Sequence, residues 1–167
     1  MGHSSQPESP SDWVVRWAPL VKRGPVLDVA SGPGRHARFF AERGFDVVAV
    51  DRDPQSIPDV KFVQADLEDG SPWPFGEQRF SAIVVTNYLH RPLFKAIESS
   101  LTEGGVLIYE TFMIGNERFG RPSNPAFLLK RGELREAFAS LRVAAFEEGE
   151  VARPKPAVTQ RICAVKG

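Results

Sequence analysis

The sequence predicts a doubly wound α/β fold, and three observations predict it. Short apolar runs bounded by glycine, proline and aspartate recur along the chain, the pattern of strands buried on both faces. Amphipathic stripes with helical spacing fall between several of them. The last two runs are joined by a segment without helical periodicity, which favours an antiparallel pair.

Taken in order, Trp13, Trp17, Leu20 and Val21 fall on one helical stripe, and Pro19 breaks that helix near Trp17. Val26 to Ala30 (VLDVA) is the first strand, set between Gly24-Pro25 and Ser31-Gly32-Pro33-Gly34. The following helix places Ala37, Phe40 and Ala41 on one face and ends at Gly44, which suits a C-terminal cap. Asp46 to Val50 is the second strand and ends at Asp51, and Val60 to Ala65 is the third and ends at Asp66. The connection RDPQSIPD holds two prolines and is too short for a long helix, so a stunted crossover is expected. Ser81 to Thr86 is the fourth strand, and Pro92 opens a helix running to about Leu101. Gly104-Gly105 makes a turn before the fifth strand, Val106 to Thr111. An irregular stretch from Met113 to Lys130 follows, then a helix carrying Leu134, Ala137, Phe138 and Leu141. Strands around Arg142 to Phe146 and Thr159 to Val165 close the chain. The whole reads as a Rossmann-like, mainly parallel seven-stranded sheet with an antiparallel C-terminal strand.

The 167 residues fit one domain over residues 11–167, preceded by a disordered arm over residues 1–10. Lys and Arg number 21, as do Asp and Glu, so no overall basic footprint points to nucleic acid. The single cysteine, Cys163, excludes an intrachain disulfide and reads as a buried structural thiol. Histidines stand only at 3, 36 and 90, and no zinc-type spacing exists, so no metal is expected. The N-terminus has neither the basic nor the apolar region of a signal peptide, and no stretch approaches a membrane span. The expectation is a cytoplasmic protein without a membrane partner; the sequence says nothing of its oligomeric state.

Ligands on such sheets bind beyond the carboxyl ends of the strands. Those ends carry Ala30-Ser31-Gly32, Asp51, Asp66, Asn87 and Glu110. Glycines at 32 and 34 let backbone approach a ligand closely, and the helix start at Arg35 presents free N–H groups. Asp51 is suited to accept hydrogen bonds from two ribose hydroxyls, and Asp66 to hold an adenine amino group. Gly32 to Ala37 also satisfies the dinucleotide pattern G-x-G-x-x-G/A, which keeps a nicotinamide cofactor and an NAD(P)-binding reductase in view.

Leu27 to Gly34 (LDVASGPG) resembles the first motif of class I S-adenosylmethionine-dependent methyltransferases, with Ala30 where the first glycine usually sits. Val47 to Asp51, Phe62 to Leu67 and Ala82 to Tyr88 resemble the second, third and fourth motifs, and Leu101 to Thr111 is similar to the fifth-strand region. The resemblance implies S-adenosylmethionine as cofactor. It places Ala30, Ser31, Gly32 and Gly34 against methionine and ribose, and gives Asp28 the loop or the methionine amine. Asp51 then takes the ribose diol with Arg52 beside it, Asp66 and Leu67 take the adenine, and Asn87 lines the methyl-transfer end.

Methyl transfer from a sulfonium requires alignment more than acid–base chemistry. His90, Tyr88 and Glu110 are the candidate catalytic residues, with helix capping, a pocket wall and a plain strand end as their structural alternatives. Tyr88 does not belong to an Asn-Pro-Pro-Tyr motif, so exocyclic amine methylation loses support. The insert MIGNERFGRPSNPAFLLKRG reads as a substrate lid. Its Arg118 and Arg121, with Arg91, suggest a small anionic acceptor. The favoured function is methyl transfer to a small molecule, with an RNA-modifying methyltransferase and a non-catalytic S-adenosylmethionine-binding module as the alternatives.

Overall fold

Seven strands hydrogen-bond into one sheet in a computed structural model that describes residues 9–167. They are β1 (Val26–Val29), β2 (Val47–Asp51), β3 (Lys61–Gln64), β4 (Phe80–Thr86), β5 (Leu101–Phe112), β6 (Arg142–Val151) and β7 (Ala157–Val165). The spatial order is β3-β2-β1-β4-β5-β7-β6. The first five strands run parallel, and β7 is antiparallel to both β5 and β6. The order reverses at β1, so a crevice opens above the carboxyl ends of β1, β2 and β4.

Every residue of β1 is buried, as a strand covered on both faces requires. Alternate side chains feed two cores. Leu27, Val29, Val48, Val50, Ile83 and Val85 pack with Ile97 of α3 (Phe94–Ser99) and Leu134 of α4 (Glu133–Ala137). Val26, Val47, Ala49, Ala82 and Val84 pack with Trp13 of α1 (Asp12–Trp17) and with Ala37 and Phe40 of α2 (Arg35–Glu42). Helices therefore cover both faces, and the strand ends between them are left to the loops.

The differences from the sequence reading are local. Pro19 does end α1 at Trp17, in a 3-10 turn over Ala18–Leu20, but Leu20 is exposed rather than core. The helix after β4 starts as a 3-10 turn, Arg91–Leu93, and stops at Ser99. Gly104 and Gly105 lie inside β5, which begins at Leu101, where the register against β4 shifts. A Cβ on Gly105 would lie 2.8 Å from the Thr102 carbonyl, so the irregular ladder requires glycine there. The loop expected between the last strands shrinks because β6 runs on to Val151 and β7 starts at Ala157. Residues 1–8 of the expected arm lie outside the described residues. The Ser9 carbonyl accepts a hydrogen bond from Arg35 at 3.2 Å, so the described part of that segment is anchored.

Candidate active site

The chain leaves β1 through a left-handed bend. Ala30 has φ +55°, Gly32 +53° and Gly34 +88°, the last capping α2. A Cβ on Gly34 would stand 2.6 Å from Ile57, so the β2–β3 connection packs directly beneath the loop. A Cβ on Gly32 would meet nothing within 4 Å, which leaves its backbone open to a ligand.

Two carboxylates hold this bend from opposite sides. Asp28, buried inside β1, accepts the Ala37 N–H at 3.0 Å and pins the first turn of α2. Burial pushes its carboxyl up to about 7, against the lowering effects of the Ala37 hydrogen bond and the Arg35 charge. Asp51 accepts the Gly32 N–H through Oδ1 at 3.1 Å and the Asp53 N–H through Oδ2 at 3.0 Å. Each Asp51 oxygen keeps a further lone pair for a ligand.

A cavity of about 370 Å³ lies beside this loop, lined by Ala30, Val50, Asp51, Arg52, Asp53, Ala65, Asp66, Leu67, Glu68 and Tyr88. Asp66 accepts the Glu68 N–H at 2.9 Å, an Asx-type turn that shapes the wall. A second cavity of about 690 Å³ adjoins it and shares Glu68 and Tyr88. Its remaining walls are Asn87, Leu89, Thr111, Phe112 and a run of the insert, Arg121 to Asn124 with Phe127. Asn87 has φ +54°, a conformation asparagine tolerates, and its N–H bonds the Glu110 carbonyl at 2.9 Å. The Tyr109 hydroxyl donates to the Tyr88 carbonyl at 2.9 Å and fixes Tyr88 at the boundary. The Tyr88 hydroxyl donates to Glu68 Oε2 at 2.8 Å, and His90 Nδ1 stands 3.5 Å from Glu68 Oε1. Burial, then the Glu68 hydrogen bond and charge, raise the Tyr88 phenol well above its ordinary range, so it stays protonated.

The structure thus gathers Ala30, Asp51, Arg52, Asp66, Leu67 and Tyr88 around one cavity, and Asn87, Tyr88 and Arg121 around its neighbour. Ser31, Gly32 and Gly34 form the bend, and Asp28 supports it from below. Four expected residues stand elsewhere. Glu110 points to the α1 face, where it accepts from the Ser11 hydroxyl and lies 3.5 Å from Arg161. Arg91 grips both oxygens of Glu133 and the carbonyls of Ala126 and Leu128, so its guanidinium is a strap for the insert rather than a free anion site. Arg118 pairs with Glu150 at 3.3 Å on the surface. His90 reaches the cavities only through Glu68. Glu68 carries no sequence signal: an exposed acid four residues beyond the end of β3 belongs to no motif.

His36 contributes to the frame around the loop. Burial, with the Arg35 charge, takes its imidazole down to about 3, so the ring is neutral. Its Nε2 accepts the Ser11 N–H at 3.0 Å, which ties the segment before α1 to α2.

A family model described as a methyltransferase domain matches residues 3–150. No curated protein matches the chain. Among solved structures, TehB from Haemophilus influenzae is similar with a TM-score of 0.75 and 19% identity, over 92% of this chain and 61% of that one. The chain therefore spans less than two thirds of TehB. A SAM-dependent methyltransferase from Methanosarcina mazei gives a TM-score of 0.71 at 15% identity, over 95% of this chain and 99% of that one. The 1,6-didemethyltoxoflavin-N1-methyltransferase of Burkholderia thailandensis, with 1,6-didemethyltoxoflavin and S-adenosylhomocysteine bound, gives a TM-score of 0.65 at 22% identity, over 92% of this chain and 76% of that one. At such identities these likenesses speak for the fold. Fold and crevice together define a Rossmann-like α/β protein whose crevice lies above β1, β2 and β4. By its family match the chain belongs to the methyltransferase domain family. The nicotinamide reductase left open by the glycine pattern is thereby set aside.

Proposed function

We propose that this chain methylates a small molecule, with S-adenosylmethionine in the first cavity and the acceptor in the second, and that residues 11–167 act as one domain. The observation that carries the reading is the shared wall: two adjoining cavities meet at Glu68 and Tyr88. The donor set fits an adenosine. Asp51 keeps lone pairs that would accept from a ribose diol, Leu67 would offer an apolar face to the adenine, and Asp66 would offer an acceptor to its amino group. The open backbone at Gly32 leaves room for the methionine portion.

When bound, the sulfonium supplies an activated methyl group. Asp51, Asp66, Leu67 and the Gly32 backbone would hold that donor, and an acceptor lone pair in the second cavity would take the methyl group in exchange for the donor's thioether. The protein's part is alignment and exclusion of water. Tyr88, held through its carbonyl by Tyr109 and through its hydroxyl to Glu68, keeps the boundary in place. Where the acceptor carries a proton, Glu68 is the carboxylate at the boundary able to take it, with His90 positioning that carboxylate. Similar folds act on small molecules: one is the toxoflavin precursor enzyme above, and another, from Streptomyces coelicolor, is a geranyl diphosphate C-methyltransferase with a TM-score of 0.64.

Calorimetry with S-adenosylhomocysteine and with NADH tests the reading. Binding of the former alone is the expected result; binding of NADH alone overturns it.

A further inference from the structure

Arg121 differs from the other arginines of its neighbourhood. Arg91 is bound bidentately to Glu133, Arg118 pairs with Glu150, and Arg131 stands 3.9 Å from Glu148. Among the described residues Arg121 has no hydrogen bond and no ion pair, yet it lines the second cavity. An arginine that lines a cavity with no carboxylate partner is available to a planar or tetrahedral anion, which it can bind through two parallel N–H donors.

Its surroundings supply the rest of a site. Asn124, another residue of this wall, uses its Oδ1 to accept the Ala126 N–H at 2.9 Å, so its amide NH2 keeps its donors. Phe127 is 53% exposed and forms part of the same wall with Phe112 and Leu89. An aromatic left this open at a cavity mouth offers its face to an apolar or aromatic ligand body. The wall shared with the first cavity carries the opposite charge, on Glu68. The cavity is therefore polarised, with an anion attracted on the insert side and repelled on the cofactor side.

We propose that the acceptor is a small organic anion with an apolar or aromatic body, bound by Arg121 through its negative group and turned so that its reacting atom faces Glu68 and Tyr88. This rests on the reading that the second cavity receives the acceptor. The anion stays off the methyl-transfer boundary, so it is a handle for recognition and not the methylated group. Carboxylate and phosphate share this chemistry, and the test separates them.

The protein saturated with S-adenosylhomocysteine is titrated by calorimetry with benzoate, phenyl phosphate and the neutral benzamide. One or both anions are expected to bind at least tenfold more tightly than benzamide, and the tighter of the two identifies the headgroup. Arg121→Gln should abolish that preference while S-adenosylhomocysteine binds it as it binds the parent. Arg121→Lys should keep part of the preference, and Phe127→Ala should weaken all three probes together. If S-adenosylhomocysteine binds but no anion outcompetes benzamide, or Arg121→Gln retains the preference, the anionic acceptor is wrong and the methyltransferase reading stands. If S-adenosylhomocysteine fails to bind the parent protein, the placement of the cofactor falls, and this inference with it.

Discussion

Asp51 Oδ1 accepts the Gly32 N–H at 3.1 Å, so the acid that closes β2 also braces the bend that leaves β1. Loop shape and the proposed ribose contact thus depend on one carboxylate. The same carboxylate turns the chain after β2 through the Asp53 N–H. Several consequences of this tightly tied crevice can be measured.

Ala30 occupies a left-handed conformation at φ +55°, where the methyl group is strained by roughly 1–2 kcal/mol. Glycine would relieve that strain but would also gain freedom in the unfolded chain. Ala30→Gly should therefore stabilise the protein by up to about 1 kcal/mol in urea unfolding. A loss of stability would mean that the packing of the Ala30 methyl against the core outweighs the strain.

Asp28 and His36 give opposite pH dependences. Burial raises Asp28 from 3.8 to about 7, so the folded state holds an extra proton there and stability falls as pH rises across that interval. Burial lowers His36 from 6.5 to about 3, so the unfolded state holds the extra proton and stability rises with pH between those values. From about pH 4 to 6.5 the two slopes cancel. Asp28→Asn leaves the His36 slope alone. Its stability relative to the parent should climb with pH between about 4 and 7, by at most about 1.4 kcal/mol per unit. A pH-independent difference in denaturant unfolding would show that Asp28 is not held neutral by burial.

Arg91 and Arg121 should separate stability from recognition. Arg91→Ala strands Glu133 and two carbonyls and, allowing for partial exposure, should cost about 2 kcal/mol. Burial tends to raise the Glu133 carboxyl, but the Arg91 hydrogen bonds, then Lys130, hold it below its ordinary range, as expected of a working ion pair. The loosened insert should also become a protease target around residues 113–131. Arg121→Gln touches no such partner and should stay within about 0.5 kcal/mol of the parent. Equal melting temperatures for the two variants would contradict this division of roles.

The sheet was legible because its strands are short, apolar and punctuated: Val26 to Val29 between Pro25 and the Ser31–Gly34 bend could be little else. Asp51, the acid that ends β2, was legible for the same reason, since a carboxylate closing a buried run stands at the rim; Asp66 lies two residues beyond β3, a strand that is not buried, yet still reaches the cavity wall. Tertiary contacts decided what was missed. Nothing local says that Arg91 reaches Glu133, 42 residues away, or that Glu110 faces α1 rather than the crevice. Gly104-Gly105 looks like a turn in sequence, yet the ladder to β4 absorbs it as an irregularity inside β5. Glu68 has no motif at all; only the fold brings it between two cavities.

The central claim is that the Asp51-braced crevice holds S-adenosylmethionine with its methyl group turned toward the second cavity. A crystal structure of the protein with S-adenosylhomocysteine, paired with calorimetry on Asp51→Ala, tests it most directly. The ribose hydroxyls should lie within hydrogen-bonding distance of Asp51, with sulfur facing the Tyr88–Glu68 boundary. The variant should bind at least tenfold more weakly, a loss of about 1.4 kcal/mol or more. A ligand seated away from Asp51, or an unchanged affinity in the variant, would contradict the account.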